Sequence, residues 1–414
     1  MKQRRHRYYP WLMACLLASA IIAGNRAQAQ QESESGKSLV MGPWAFKRVT
    51  RAQEALGEGK YADALEHLDD LRERKGINDH EKAVMWQMYG YVYSSQQKVQ
   101  KAIKAFEKCV AQDALTRQVT LEIHFNLGQL YLVNKQYKKA LNALRAWIRK
   151  TDKIRPSAHY IMAMAYVQTK DFRRALRWAK RAVASTEKPK ESWLQMLLSI
   201  HYELEQYKEA TGVLERLVRE HPKKKTYWLQ LFASYAKVGR DDEAFAVLDL
   251  ANEQGFLTKD YELKNLAQLY IQQGVPYKGA RLLDKAIKAG SVKRETRTLE
   301  MLAEAWLQAK ELERAVKPLR EAARQAKGGE TYMRLASIHM ERMEWPEARQ
   351  AISAAIKKGK LRNPGHAYLY LGIVNFRDDK LAPAKSAFKL AKKHKASSKS
   401  ADAWLTMLKA RRSS

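Results

Sequence analysis

The hydrophobic positions of this chain recur with a helical period, and the clearest stretch runs from residue 86 to residue 106. Trp86, Gly90 and Tyr93 are spaced so that they share one face of a helix. Ala102 and Phe106 lie one turn apart on a second helix, predicted to pack antiparallel to the first. The small residues let the two helix axes approach to about 8 to 10 Å, while the large ones fill the space around them. We therefore expect Trp86→Ala to cost about 3 to 5 kcal/mol.

The same arrangement returns along the chain. An alanine in the position of Ala102 recurs at Ala64, Ala102, Ala140, Ala175, Ala210, Ala244, Ala280, Ala315, Ala348 and Ala384. Further packing positions are filled by Gly128, Tyr131, Trp228, Tyr235 and Gly372. A period of this length is typical of tetratricopeptide repeats. The sequence predicts an all-α superhelical solenoid of about ten helix-turn-helix repeats over residues 44–395, closed by a C-terminal capping helix in residues 396–414.

The N-terminal residues predict export. A basic segment, an apolar run over residues 11–23 and the small residues before Gln30 match a secretory signal peptide, with cleavage expected after Ala29. Residues 30–43 then read as a flexible leader. The apolar run is shorter than the roughly 20 residues that span a bilayer, although a retained anchor stays an alternative. The predicted location is the periplasm, with membrane association left open.

The charge balance is strongly basic, with a formal net charge of +32. The cations concentrate on the predicted second helices, for example Lys101, Lys104, Arg173 and Arg177. Such a convex face could attract an anionic membrane or lipopolysaccharide surface, or it could only keep the solenoid solvated. The predicted export argues against nucleic acid as a partner.

Motifs that would indicate an enzyme do not emerge from the sequence. It contains no phosphate-binding loop, HExxH motif or paired CxxC motif. The histidines at 124, 159, 201 and 339 fall one per repeat, which favours a structural role. Cys109 is predicted to be buried beside Phe106. We expect no catalytic residues, no cofactor and no metal; a transferase built on repeats would require a second domain that the sequence does not suggest.

A partner groove is predicted along the first helices of the repeats, at the template positions that face the concave side. The uncharged residues at these positions are Tyr91, Phe125, Gln129, Tyr160, Met164, Tyr202, Met333 and Phe376. The charged ones are Glu122, Glu203, Glu262, Glu300, Glu304, Glu330 and Glu341, against Lys237, Arg297 and Arg377. The groove is thus expected to be mildly acidic and suited to an extended peptide.

The middle of the chain resembles a particular family. The segments 228–231, 248–257, 263–270, 274–278 and 310–312 are similar to periplasmic tetratricopeptide-repeat proteins associated with TonB, ExbB and ExbD. The most specific segment is Gly274-Val275-Pro276-Tyr277-Lys278, where the repeat gains one residue. The resemblance implies a non-enzymatic accessory of TonB-dependent uptake. The alternative is an envelope assembly or export factor that binds polysaccharide, peptidoglycan or lipopolysaccharide through the basic face.

Overall fold

The computed structural model describes residues 38–152 and 154–413, with side chains described as far as residue 409. The predicted signal peptide and most of the predicted leader lie outside these residues. The described residues form 21 helices, which group into two compact units divided between His221 and Pro222. Among these helices, none combines the length and the apolar character needed to cross a membrane.

The first unit contains five antiparallel helix pairs. Its helices are α1 (Pro43–Gly57), α2 (Tyr61–Glu73), α3 (Asp79–Ser95), α4 (Val99–Ala111), α5 (Arg117–Val133), α6 (Tyr137–Lys150), α7 (Pro156–Gln168), α8 (Phe172–Ala184), α9 (Glu191–Glu203) and α10 (Tyr207–Glu220). Each odd-numbered helix packs against the even-numbered helix that follows it.

The second unit contains five more pairs and one closing helix. Its helices are α11 (Lys225–Lys237), α12 (Asp241–Glu253), α13 (Asp260–Gln272), α14 (Pro276–Lys288), α15 (Thr296–Gln308), α16 (Leu312–Gln325), α17 (Glu330–Glu341), α18 (Trp345–Lys358), α19 (Pro364–Arg377), α20 (Leu381–Lys392) and α21 (Ser398–Ser413). The closing helix α21 buries Ala401 and Leu408 and stacks Trp404 on Phe388 with 5.6 Å between the ring centroids.

The small residues of the repeat lie where the paired helices touch, as predicted. All ten second-helix alanines are buried. A Cβ atom on Gly90 would lie 2.4 Å from the Phe106 ring, and one on Gly372 would lie 2.4 Å from the Phe388 ring. A Cβ atom on Gly128 would lie 2.6 Å from the Leu144 side chain. Glycine is therefore required at these positions by packing rather than by backbone conformation.

Trp86 is less enclosed than the expected cost of Trp86→Ala implies. Its side chain is only partly buried; it leans on Tyr89 with 5.2 Å between ring centroids and lies under the Lys108 ammonium at 4.1 Å. Tyr89, one turn of helix away, takes the buried position and is 1% exposed. Both residues fit the periodic pattern, and contact with the preceding helix pair decides which of them is enclosed.

The turn inside each pair has one recurring backbone conformation. One residue after each first helix has a positive φ, between 53° and 74°, at Gly59, Gln97, Lys135, Lys170, Glu205, Gly239, Gly274, Lys310, Met343 and Asp379. The amide of the next residue then donates to a carbonyl five residues back, as Gln136 does to Tyr131 at 2.7 Å. This hydrogen bond is the mark of a Schellman motif, which ends a helix and reverses the chain.

The extra residue of the seventh repeat lies at the start of α14, and the turn before it keeps the spacing of the other pairs. Gly274 takes the positive φ, the Val275 amide donates to the Tyr270 carbonyl at 2.9 Å, and Pro276 begins α14. Gly279 then lies so close to α13 that a Cβ atom would come within 2.8 Å of the Ala267 carbonyl oxygen. The segment 274–278 is thus a turn and a helix start whose tight fit continues to Gly279.

Candidate partner-binding surface

The surface of the first helices is less open than the repeat pattern predicts. Phe125, Gln129 and Phe376 are 5%, 4% and 8% exposed, so the prediction of groove exposure is wrong for these three. Phe125 packs on Trp147 with 4.9 Å between ring centroids, and Phe376 packs against Trp404 of the closing helix at 5.3 Å. Phe125 is thus covered by the second helix of its own pair, and Phe376 by the closing helix, which the periodicity of one helix does not reveal.

Four other predicted groove residues are partly buried, namely Tyr91, Tyr160, Met164 and Met333. Tyr91 meets the Phe106 ring edge-on at 5.4 Å. Tyr160 stacks on Trp193 of the next pair at 5.8 Å. Tyr202 is the most open of the predicted set at 38% exposed. Among the predicted groove residues of the first unit, Tyr202 is therefore open to a partner, and Tyr160 is open in part.

The predicted acidity of the groove is mostly neutralised by neighbouring repeats. Glu122 pairs with Arg155, and Glu304 pairs with Arg334. Glu300 accepts a hydrogen bond from Thr331 at 2.7 Å. These links join consecutive first helices, so they stabilise the stacking of repeats and leave less negative charge for a partner. Among the described residues, Glu203 and Glu341 are exposed and make no ion pair.

The inserted residue of the seventh repeat also displaces the predicted groove by one position. Glu262 was expected to face the groove, but it is 4% exposed and accepts from the Lys225 ammonium at 2.7 Å. Tyr261, one residue earlier, is 56% exposed instead. Counting back from Ala280 without allowing for the extra residue selects Glu262 instead of Tyr261. Tyr261 therefore joins the candidate surface.

Links between tyrosine and carboxylate join successive repeats and were not found from the sequence. The Tyr131 hydroxyl donates to Glu107 of the preceding pair at 2.6 Å, and Tyr89 and Tyr270 donate in the same way to Asp69 and Asp249. Burial and these carboxylates raise the pKa of all three tyrosines. The sequence shows each tyrosine and each carboxylate, but many other pairs have similar spacings, so no pattern singles these out.

Part of the basic charge has a structural use. Lys101 lies over the Tyr93 ring at 5.6 Å, and Lys139 lies over the Tyr131 ring at 5.5 Å. Arg314 repeats the contact over Trp306 at 5.0 Å. In each case the cation precedes the second-helix alanine and covers the aromatic ring of the same repeat, which is favourable because of the ring quadrupole.

The titratable groups that could support catalysis are dispersed. His201 and His339 are buried and bond to the first residues after their own turns, Gln206 at 2.8 Å and Glu344 at 2.6 Å. Burial lowers the pKa of His201. Within the described part of the chain, no group of three or more histidine, cysteine or acidic residues is placed to hold a metal. Cys109 is fully buried, as predicted, and burial raises the pKa of its thiol to about 12.

Three family models match parts of the chain. A tetratricopeptide-repeat model matches residues 83–114, and a second one matches residues 264–330. A model described as the N-terminal TPR repeats region of Psidin matches residues 130–244. Among curated proteins, no sequence matches the chain significantly.

Solved structures of repeat proteins are similar at low identity. A tetratricopeptide repeat protein from Parabacteroides merdae shares 16% identity over 72% of this chain and 100% of its own, with a TM-score of 0.39. MamA from Desulfovibrio magneticus shares 20% identity over 45% of this chain and 99% of its own, with a TM-score of 0.38. The TPR2AB domain of yeast Sti1, in a complex with a pHSP90, shares 13% identity over 63% of this chain and 99% of its own, with a TM-score of 0.35. Helix pairing, turn geometry and the matched repeat models together identify the chain as an all-helical, helix-turn-helix solenoid of the tetratricopeptide-repeat type.

Proposed function

We propose that this protein is an exported, non-enzymatic scaffold of the cell envelope that serves as an accessory of a TonB, ExbB and ExbD energy-transduction system. Tetratricopeptide repeats indicate a protein-protein interaction scaffold. The periplasmic location is supported by the signal-peptide pattern of residues 1–29. The TonB association is supported by the family resemblance of residues 193–325.

The observation that carries the scaffold role is the set of exposed aromatic and acidic side chains on the first helices. Tyr202 is 38% exposed and precedes Glu203, an exposed carboxylate that makes no ion pair. Tyr160 lies on the first helix of the preceding pair and is partly exposed. Aromatic side chains of this kind contribute most of the binding energy at protein interfaces, because they bury a large area with few rotatable bonds.

The mode of binding differs from the sequence prediction. The sequence predicts a mildly acidic groove for an extended peptide, but the ion pairs of Glu122 and Glu304 and the hydrogen bond to Glu300 leave less negative charge there. The proposal is instead an aromatic contact, with a local carboxylate that can accept a basic side chain of the partner. Such a contact should depend on the tyrosines more than on ionic strength.

A pull-down from cross-linked, detergent-solubilised envelopes tests this proposal. The variant carries Tyr160→Ala and Tyr202→Ala, and the control carries Leu250→Ala, because Leu250 is 47% exposed on the second helix α12. Recovery of TonB, ExbB or ExbD that falls in the tyrosine variant, but not in the control, would support the proposal.

Two other results would contradict it. Recovery of envelope-assembly proteins or glycan in place of the TonB components would favour the alternative function through the basic face. If TonB components are recovered equally with the tyrosine variant, the TonB association would stand, but the contact through Tyr160 and Tyr202 would be refuted.

A further inference from the structure

A cleft in the second unit lies on the opposite helices from the candidate partner surface. Its walls are the second helices α14 and α16, and its floor is formed by α15, which lies between them in sequence. Its volume is about 1190 Å³. This is large enough for several residues of a peptide, since small-molecule pockets range from about 300 to 1000 Å³.

The cleft is strongly basic. Seven of its lining residues are lysine or arginine, whereas two, Asp284 and Glu313, are acidic. Asp284 is paired with Lys288 at 2.6 Å. By contrast, Arg281, Lys285 and Lys317 are exposed and make no ion pair with any residue that the structure describes.

These cations are spread along the walls rather than gathered at one point. From Lys278 to Lys288, α14 rises about 15 Å, at about 1.5 Å per residue. Lys317 supplies a charge from the facing wall on α16. A single phosphate would be held by donors that converge on it. A row of charges over this length suits a row of carboxylates on an extended chain.

The two ends of the cleft are built differently. At one end the Tyr277 hydroxyl accepts from Arg314 at 3.2 Å, and the Tyr277 ring meets Trp306 edge-on at 5.5 Å. At the other end Arg294 pairs with Glu321 of α16. The distinctive segment 274–278 therefore contributes Lys278 to the lining of the cleft, and Tyr277 contacts the lining residues Arg314 and Trp306. Apolar side chains, including Leu282 and Trp306, line its depth.

We propose that the cleft between α14 and α16 is a second binding site, which takes an extended acidic peptide segment of a protein partner. The carboxylates of the peptide would lie along Arg281, Lys285 and Lys317, and an apolar side chain would enter toward Leu282. A bilayer presents its charges on a broad surface, which does not enter a cleft between two helices. This inference is independent of the role proposed above, because it uses other helices and the opposite charge.

The test uses fluorescence anisotropy with the purified chain and a short labelled peptide of repeated Glu-Glu-Leu. A matched peptide has glutamine in place of every glutamate. The cleft variant combines Arg281→Glu, Lys285→Glu and Lys317→Glu, and a milder variant changes the same residues to glutamine. The control variant combines Arg173→Glu, Arg177→Glu and Lys180→Glu on α8, where three exposed cations produce the same change in net charge.

The expected result is binding of the glutamate peptide and not of the glutamine peptide. The cleft variant should bind about tenfold more weakly or worse, since three exposed charge contacts are lost and reversed. The glutamine variant should show a smaller loss in the same direction, and the control variant should keep most of the affinity. Circular dichroism should give the same helical content for all variants.

Several results would overturn the proposal. Equal weakening in the cleft and control variants would mean that only the overall positive charge attracts the peptide. Unchanged affinity in both cleft variants would place binding elsewhere. Binding to phosphatidylglycerol vesicles that depends on the cleft residues, without any binding of the acidic peptide, would assign the cleft to lipid.

Discussion

The sharpest test of the packing described above is the substitution Gly90→Ala. The added methyl group would lie 2.4 to 2.6 Å from three atoms of the Phe106 ring, a distance that carbon atoms do not tolerate. The ring is fully buried, so any movement must displace the core side chains that enclose it. The helices α3 and α4 must therefore separate, or the ring must leave its rotamer.

The magnitude follows from two opposing contributions. Overpacking of a well-packed core typically costs about 1 to 3 kcal/mol. Alanine in place of glycine in a helix contributes up to about 1 kcal/mol in the other direction. Gly212 of α10 isolates the second contribution, because a Cβ atom there would meet no atom within 4 Å. We expect Gly212→Ala to stabilise its helix and Gly90→Ala to destabilise its pair, with a difference of about 2 kcal/mol.

Hydrogen exchange with mass spectrometry is the suitable assay, because the local opening of each helix pair can be followed separately in a repeat protein. Amides of α3 and α4 should exchange faster in Gly90→Ala, while those of α10 should exchange no faster in Gly212→Ala. Equal protection of the altered helices in the two variants would refute the reasoning that Gly90 is required by the Phe106 contact.

Four further predictions concern single positions. Lys135→Gly should stabilise the chain by about 1 kcal/mol in thermal unfolding, because the φ of Lys135 is 60° and glycine adopts that conformation without strain; no gain would mean that the turn is not strained. Trp86→Ala should cost less than about 2 kcal/mol, whereas Tyr89→Ala should cost about 3 to 5 kcal/mol, and the reverse order would contradict the burial of these two rings. Tyr131→Phe should cost about 1 kcal/mol near neutral pH, because the hydrogen bond to Glu107 is lost. The folded state raises the pKa of Tyr131, so the stabilisation by this hydroxyl is complete below about pH 10 and is lost as the pH rises further. The variant should therefore approach the parent in stability at high pH, and a difference that does not change with pH would contradict this. Cys109 should react with a thiol reagent only after unfolding, since burial raises its pKa to about 12, and rapid labelling of the folded chain would show that α4 opens readily.

The candidate surface could be predicted only in part. The phase of the repeats selects the helix face, and Tyr202 is exposed there. The same phase also selected Phe125 and Phe376, which other rings cover. Exposure depends on the side chains that other helices contribute, from the second helix of the same repeat for Phe125 and from the closing helix for Phe376. The sequence around each position does not contain that information.

The sequence by itself determined the repeat. The recurring alanines and the helical period specify paired antiparallel helices, because these features are local and repeat ten times, and glycines opposite large side chains add to this in three pairs. Tertiary structure decided which of Trp86 and Tyr89 is enclosed, which glutamates are neutralised by the next repeat, and that α14 and α16 form one basic cleft. These outcomes depend on contacts between segments that are roughly one repeat apart, where the shape and charge of both partners act together. A periodic pattern shows that two helices pack together, whereas only the packed structure shows which side chains stay accessible to a partner.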